Sequence, residues 1–304
     1  GLCIDPTAGF YPHEQYYKQA SEFLGVSDNK IILFDPLNPK ILDVWFKAFL
    51  HPLENYGIDF FWNDYRGTSD PTNLWATNHY LYLDSGRNSA RRSMILARNG
   101  IYAPHLYPVL YGGSSEVSWE ALKKLPFQYL NAANIGVSWW SHDVGGNHGG
   151  IEESELYIRY LELSVYSPIL RFHGARGPYY KREPWLWDVK TENIAADYLR
   201  LRHRLIPYLY TEAYNYTKSG TPLIQPFYYN YLWVYDDEHY KNQYYFGSQL
   251  LVCPILDKKD PTMNRTVHRF FIPDGIWYDF RTGKKFPGNK KYVSFFKEED
   301  YPVF

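Results

Sequence analysis

Asp64 closes an apolar run, Ile58-Asp59-Phe60-Phe61-Trp62, that reads as a buried strand. A carboxylate at such a strand end, two residues after a tryptophan, is placed to project into a cleft and attack an electrophilic carbon. The same position would let Asp64 cap the loop or helix that follows, and the local residues do not choose between these roles. Other polar types recur at similar places: Asp5, Arg98, Ser114, Asp143, and Arg171 with His173 all follow apolar, strand-like runs. Cleavage of a glycosidic bond takes two carboxyl groups flanking it, one as nucleophile and one as general acid/base. Asp64 is the candidate for the first role. Plainer roles stand beside the others: Arg98 as a strand-end charge, Asp143 as a turn former before Gly145-Gly146, His142 and His148 as loop histidines. These two histidines lack a third partner at useful spacing, so no metal site is indicated. No Gly-rich phosphate loop follows a strand, which removes a nucleotide-binding α/β reading.

The elements that must position these residues alternate. Strands are expected at about 1–5, 58–63, 93–97, 107–111, 136–140 and 168–172. Helices are expected at about 13–24, 39–56, 74–83, 119–133, 153–165 and 192–218, the first stopped by Gly25 and the second by Gly57. Strands alternating with helices imply parallel βαβ units. Near-continuous apolar strands imply a sheet buried on both faces. Six strand ends bearing polar groups favour a (β/α)₈ barrel, which carries its active site on that face, over a doubly wound sheet. The expected fold is therefore α/β: a partial (β/α)₈ TIM barrel with about six of eight strands over 1–220, then a truncated antiparallel β domain over 221–304. The chain opens in mid-strand with no starting Met or signal-peptide pattern, so it is expected to be a piece of a longer protein whose other two barrel strands lie upstream of Gly1.

Composition sets the class of partner. The 304 residues carry 32 Lys+Arg against 33 Asp+Glu, a net charge of -1, which argues against a nucleic-acid binder. The same balance removes a polybasic case for an anionic membrane, and no apolar run approaches the roughly 18 residues of a membrane span. Trp 10, Tyr 31 and Phe 18 make the chain 19% aromatic; most of these rings are core, but a Tyr/Trp surplus also suits half-wet clefts that hold sugars or nucleotides. Cys3 and Cys253 sit in apolar runs, where a buried thiol acts as a small hydrophobe, and no pairing into a zinc site or disulfide framework is indicated. The Asn-x-Ser/Thr triplets at Asn215 and Asn264 are about what chance supplies.

Longer motifs carry a resemblance. Gly57-Ile58-Asp59-Phe60-Phe61-Trp62-Asn63-Asp64 resembles the nucleophile strand of glycoside hydrolase family 31, the α-glucosidase and α-xylosidase family. Trp139-Trp140-Ser141-His142-Asp143-Val144-Gly145-Gly146 is similar to a second family motif. It continues through Glu155-Leu156-Tyr157-Ile158-Arg159-Tyr160 and Ser167-Pro168-Ile169-Leu170-Arg171-Phe172-His173 to Arg182-Glu183-Pro184-Trp185. Tyr245-Phe246-Gly247-Ser248-Gln249 with Leu250-Leu251-Val252 resembles the start of the family's first C-terminal β domain. The resemblance implies Asp64 as nucleophile and Trp62 as a pocket wall. It implies Arg98, Asp143, Arg171 and His173 as hydrogen-bond partners of a terminal sugar's hydroxyls, with Asp5 and Tyr111 among the substrate-binding residues. It implies an N-terminal domain of the same chain, no cofactor, and an oligosaccharide or α-glycoside as partner. The compartment is left open, the cytoplasm being slightly favoured, and so is the oligomeric state.

One departure bears on activity. Family members carry an Asp as acid/base a few residues before a Ser/Thr-Trp pair; here the segment is Gly112-Gly113-Ser114-Ser115-Glu116-Val117-Ser118-Trp119, with Ser114 at the Asp position. A serine hydroxyl releases no proton near neutral pH, and a positioned acid/base is typically worth about 10²–10⁴-fold. Glu116 is either a substitute acid or the residue that opens the helix containing Trp119. The Asn-Glu that follows the nucleophile in many α-glucosidases is also absent from Asp64-Tyr65-Arg66-Gly67. The implied activity is a retaining α-glycosidase acting on terminal non-reducing α-linked sugars, α-glucosidase first. The alternatives are an α-xylosidase or a catalytically impaired carbohydrate-binding relative.

Overall fold

Cys3 lies opposite Trp62, and Trp62 opposite Leu96, in a parallel ladder formed by β1 (Leu2–Ile4), β2 (Phe61–Asn63) and β3 (Ile95–Ala97). β4 (Val109–Tyr111) extends it beside β3. The computed structural model describes residues 1–27, 29–66, 70–88, 91–98, 100, 102–107 and 109–304. Two compact units divide the chain, Gly1–Tyr111 and Gly112–Phe304.

Between β3 and β4 the connection includes a 3₁₀ turn (Pro104–Leu106), whereas the β1–β2 and β2–β3 connections are α-helical, as is usual between parallel strands. They are α1 (Tyr17–Leu24); α2 (Pro39–Val44), which runs on through a π-type stretch (Trp45–Leu50) into α3 (His51–Asn55); and α4 (Pro71–Ser85). Asn38 before Pro39 and Asp70 before Pro71 cap their helices, each side-chain oxygen accepting a backbone N–H two residues on. Gly25 ends α1 in the left-handed region at φ 65°. The helix expected at 39–56 is one helical path with wider turns in its middle. Those turns precede Pro52, which has no N–H to return to Ala48.

Strand alternation decides which side chains share a face. Asn63 Nδ2 donates 2.7 Å to Asn78 Oδ1 on α4, so Asn63 faces the helix layer and is buried. Trp62 and Asp64 consequently share the opposite face. Cys3, expected to be buried, is exposed, because it alternates with Leu2 and Ile4 onto the face away from their neighbours.

The second unit begins with α5 (Trp119–Asn134), β5 (Trp140–Ser141) and α6 (Ser154–Val165). α7 (Val189–Arg204) and α8 (Ile206–Ser219) replace the single helix expected at 192–218. Pro207 sits in the first turn of α8 and cannot donate into the ladder of α7, so the helix restarts at Leu205. The strand expected at 136–140 shrinks to β5. The one expected at 168–172 is reduced to a parallel bridge between Phe172 and Val144. Just before it, where α6 ends, Arg202 donates 2.7, 2.6 and 2.7 Å hydrogen bonds to the carbonyls of Val165, Ser167 and Pro168.

α6 is buried along its whole length and anchors a core that includes Leu156, Tyr160, Tyr198 and Tyr244. Beyond α8 come antiparallel elements. β6 (Ile224–Pro226), β7 (Tyr244–Phe246) and β8 (Leu250–Val252) form a three-stranded sheet. β9 (Thr266–Ile272) pairs with β12 (Lys290–Phe296), and β10 (Ile276–Tyr278) with β11 (Lys285–Pro287). Arg159 on α6 ties this region to the helices, donating to Glu162, to the carbonyls of Lys297 and Asp300, and to Thr266. Parallel strands alternating with helices, followed by antiparallel sheets, are the fold class the sequence predicts: part of a (β/α)₈ barrel and a β domain.

Candidate active site

Asp64 continues the register of β2 by one residue: its N–H donates 2.9 Å to Ile4 O, and its side chain is buried. Two guanidinium groups converge on it. Arg98 NH1 donates 2.7 Å to Oδ1, and Arg66 donates to Oδ2 from Nε at 3.1 Å and NH2 at 2.7 Å. Arg98 is positioned by the next strand, its own N–H donating 3.0 Å to Asn63 O. Its guanidinium lies 6.0 Å from the centre of the Tyr111 ring, and Tyr111 meets Trp62 edge-to-face at 5.4 Å. The first unit thus brings Asp64, Arg98, Trp62 and Tyr111 together, a carboxylate with an aromatic wall.

Asp5 has a different local duty. It is exposed and caps the turn that follows β1, accepting the Thr7 N–H at 3.0 Å. Thr7 Oγ1 in turn accepts the Arg66 N–H at 2.9 Å. Arg66 was not among the sequence candidates. Its only signal was the departure from Asn-Glu after the nucleophile.

In the second unit Asp143 is buried and accepts 2.6 Å from Arg171 NH2, while Arg171 Nε donates 3.2 Å to Ser141 Oγ. A charge-assisted pair of this length orients both groups. His173, half-buried, follows the bridge at Phe172 and lines a cleft of about 590 Å³ with Arg182 and Trp185. A larger cleft, about 930 Å³ and lined by Lys123, Tyr235, His268 and Arg269, contains none of the predicted site residues.

Ser114 is exposed in the segment between β4 and α5. That segment is pinned to 147–151: Ser115 O accepts from Asn147 N at 2.7 Å, Val117 N donates to His148 O at 3.0 Å, and Glu116 bridges His148. Glycines permit this approach. Gly146, at φ 80°, would place a Cβ 2.8 Å from Glu116 O. Glu116 does not open α5, as one sequence reading held; Ser118 is the N-cap, its Oγ accepting from Ala121 N at 3.2 Å. The exposed Glu116 side chain remains beside Gly149.

His142, read as a loop histidine, is buried. Ser164 Oγ donates to Tyr160 O, so it accepts from His142 Nε2 at 2.7 Å, and Nδ1 accepts from the Tyr129 hydroxyl at 2.9 Å. Burial, reinforced by Arg171, pushes its pKa down to about 3. It is a neutral structural group. Among the described residues no three His, Cys, Asp or Glu side chains group as metal ligands would.

Comparison with known proteins places the chain. The profile of the "Glycosyl hydrolases family 31 TIM-barrel domain" matches residues 9–212, and that of the "Glycosyl hydrolase family 31 C-terminal domain" matches 220–304. An isomaltosyltransferase of Sporosarcina globispora is 27% identical over 238 residues, covering 75% of this chain and 21% of that protein. Alpha-glucosidase 2 of Bacillus thermoamyloliquefaciens is 30% identical over 222 residues, covering 71% of this chain and 27% of that protein. A Flavobacterium johnsoniae GH31 dextranase, solved with glucose, superposes with a TM-score of 0.83 at 22% identity, over 99% of this chain and 42% of that one. The chain spans about a quarter of the length of the two curated relatives. With both profiles matched in order along the barrel and β-domain regions, the chain belongs to glycosyl hydrolase family 31.

Proposed function

We propose that the protein is a retaining α-glycosidase acting on terminal non-reducing α-linked sugars, with α-glucosides as the first substrate class. The observation that carries this reading is Asp64: a buried carboxylate at the end of a parallel strand, with Arg98 2.7 Å from Oδ1. Asp64 would attack the anomeric carbon, forming a covalent glycosyl intermediate that water then opens with retention. Trp62 and Tyr111 supply apolar ring surface for the sugar; Asp143, Arg171 and His173 would take its hydroxyls. Ser114 stands at the acid/base position, so glycosides with poor leaving groups would react slowly and activated aryl glycosides would not need the missing proton.

Ser114 also supports a second reading, a carbohydrate-binding relative with impaired catalysis. A 2-deoxy-2-fluoro or 5-fluoro glucosyl fluoride separates the two when incubated with the full-length protein. Mass spectrometry should find the adduct on Asp64. An adduct on another carboxylate overturns the assignment, and a protein that binds glucosides without forming any adduct is the impaired relative.

A further inference from the structure

We propose that Arg66 is a positioning residue for the nucleophile, one that holds Asp64 Oδ2 and leaves Oδ1 as the attacking oxygen. This rests on the reading of Asp64 as nucleophile. Among the described residues, Oδ2 accepts two N–H bonds from one guanidinium, Nε at 3.1 Å and NH2 at 2.7 Å, whereas Oδ1 accepts one, from Arg98. A carboxylate oxygen that takes two donors has its lone-pair directions filled; the oxygen with one donor keeps a pair to give. Arg66 reaches the buried carboxylate from the solvent side, its own side chain being 64% exposed. It is anchored from behind by the Thr7 hydroxyl on its N–H, with Asp5 4.0 Å from its Nε.

Among the described residues, the charged and titratable groups these contacts place around Asp64 are Arg66 and Arg98, then Asp5 and Cys3 beside Arg66, and Tyr111 beside Arg98. The hydrogen bond to Asp64 raises the Arg66 pKa further, so this group is charged at every working pH. Its effect on the two steps is opposite. In glycosylation Oδ1 gives its electron pair to the anomeric carbon, and the bond to the leaving oxygen breaks with its pair on that oxygen. In deglycosylation water's oxygen bonds to the carbon, the C–Oδ1 pair returns to the carboxylate, and water's proton passes to solvent. A fixed cation on Oδ2 stabilises the free carboxylate, so it restrains the first step and assists the second.

The test uses the full-length protein, a dinitrophenyl α-glucoside and the variants Arg66→Gln and Arg66→Lys. Arg66→Gln should slow kcat several-fold and show a pre-steady-state burst of dinitrophenolate, as deglycosylation becomes limiting. Arg66→Lys, which keeps the charge, should recover kcat and lose the burst. An unchanged kcat with no burst in Arg66→Gln, while the fluorosugar still labels Asp64, overturns the Arg66 role alone. So does a folded Arg66→Gln protein that the fluorosugar no longer labels, since loss of a restraint on glycosylation cannot abolish it. Labelling of a different carboxylate in the unmodified protein overturns the nucleophile reading, and the Arg66 role with it.

Discussion

Arg98 reaches Asp64 across a parallel strand pair, NH1 to Oδ1 at 2.7 Å, with its own backbone N–H on the carbonyl of Asn63, the residue before that carboxylate. One residue therefore fixes both the strand end and the side chain it presents. Arg98→Gln should lower kcat/KM for an activated aryl α-glucoside by on the order of 10²-fold, the usual cost of a misplaced reacting group. A thermal melt of the variant separates this from unfolding. Unchanged turnover would remove Arg98 from the site.

The exposed Ser114, read as standing at the acid/base position, makes a second expectation. Ser114→Asp should raise hydrolysis of unactivated α-glucosides by about 10²-fold or more. Cleavage of a dinitrophenyl glycoside should change far less in its first step, because that leaving group departs as a stable anion. Glu116→Gln is the matched control. If it abolishes activity, Glu116 is the acid; if native turnover of maltose-like substrates is already ordinary and Glu116→Gln leaves it so, another carboxyl donates the proton.

Buried His142 gives stability a pH dependence. Its folded pKa is about 3 against the unfolded value of 6.5, so between these values the unfolded chain binds the extra proton. The contribution is fully present above pH 6.5 and is lost as pH falls toward 3. Between pH 6.5 and 5 it amounts to about 2 kcal/mol. Urea titrations at those two pH values should show the loss, and His142→Gln should flatten it.

Arg202 serves three carbonyls at the C-terminal end of α6, those of Val165, Ser167 and Pro168. Burial lowers its pKa to about 10, which leaves it charged at neutral pH. Arg202→Ala orphans three carbonyls at once, and the expected destabilisation is about 3 kcal/mol or more. Arg202→Lys should recover part of it, since an ammonium can serve some of these carbonyls but lacks the planar fork. A melting temperature equal to that of the unmodified protein would show that water or the backbone satisfies them instead.

Much of the barrel was legible in local signals. Asn38-Pro39, Asp70-Pro71, Gly25 and Gly57 punctuate helices through rules that act within a few residues, and the elements fall where those residues stand. The same locality misled at Pro207, where apolar periodicity runs straight through a residue that cannot donate its N–H.

The amino-acid sequence by itself determined the family, the alternation of strands and helices, and the address of Asp64 at a strand end, because these depend on periodicity, turn chemistry and ordered motifs. Tertiary structure alone decided that 168–172 keeps only a bridge, that His142 is a neutral structural group, and that Arg66 clasps the carboxylate. Each of these depends on a partner distant in the chain or on a side chain's direction: Val144 for the bridge, Tyr129 and Ser164 for the imidazole, Thr7 behind the guanidinium. Hydrogen-bond satisfaction is settled by which groups meet in space, and residue spacing carries no record of that.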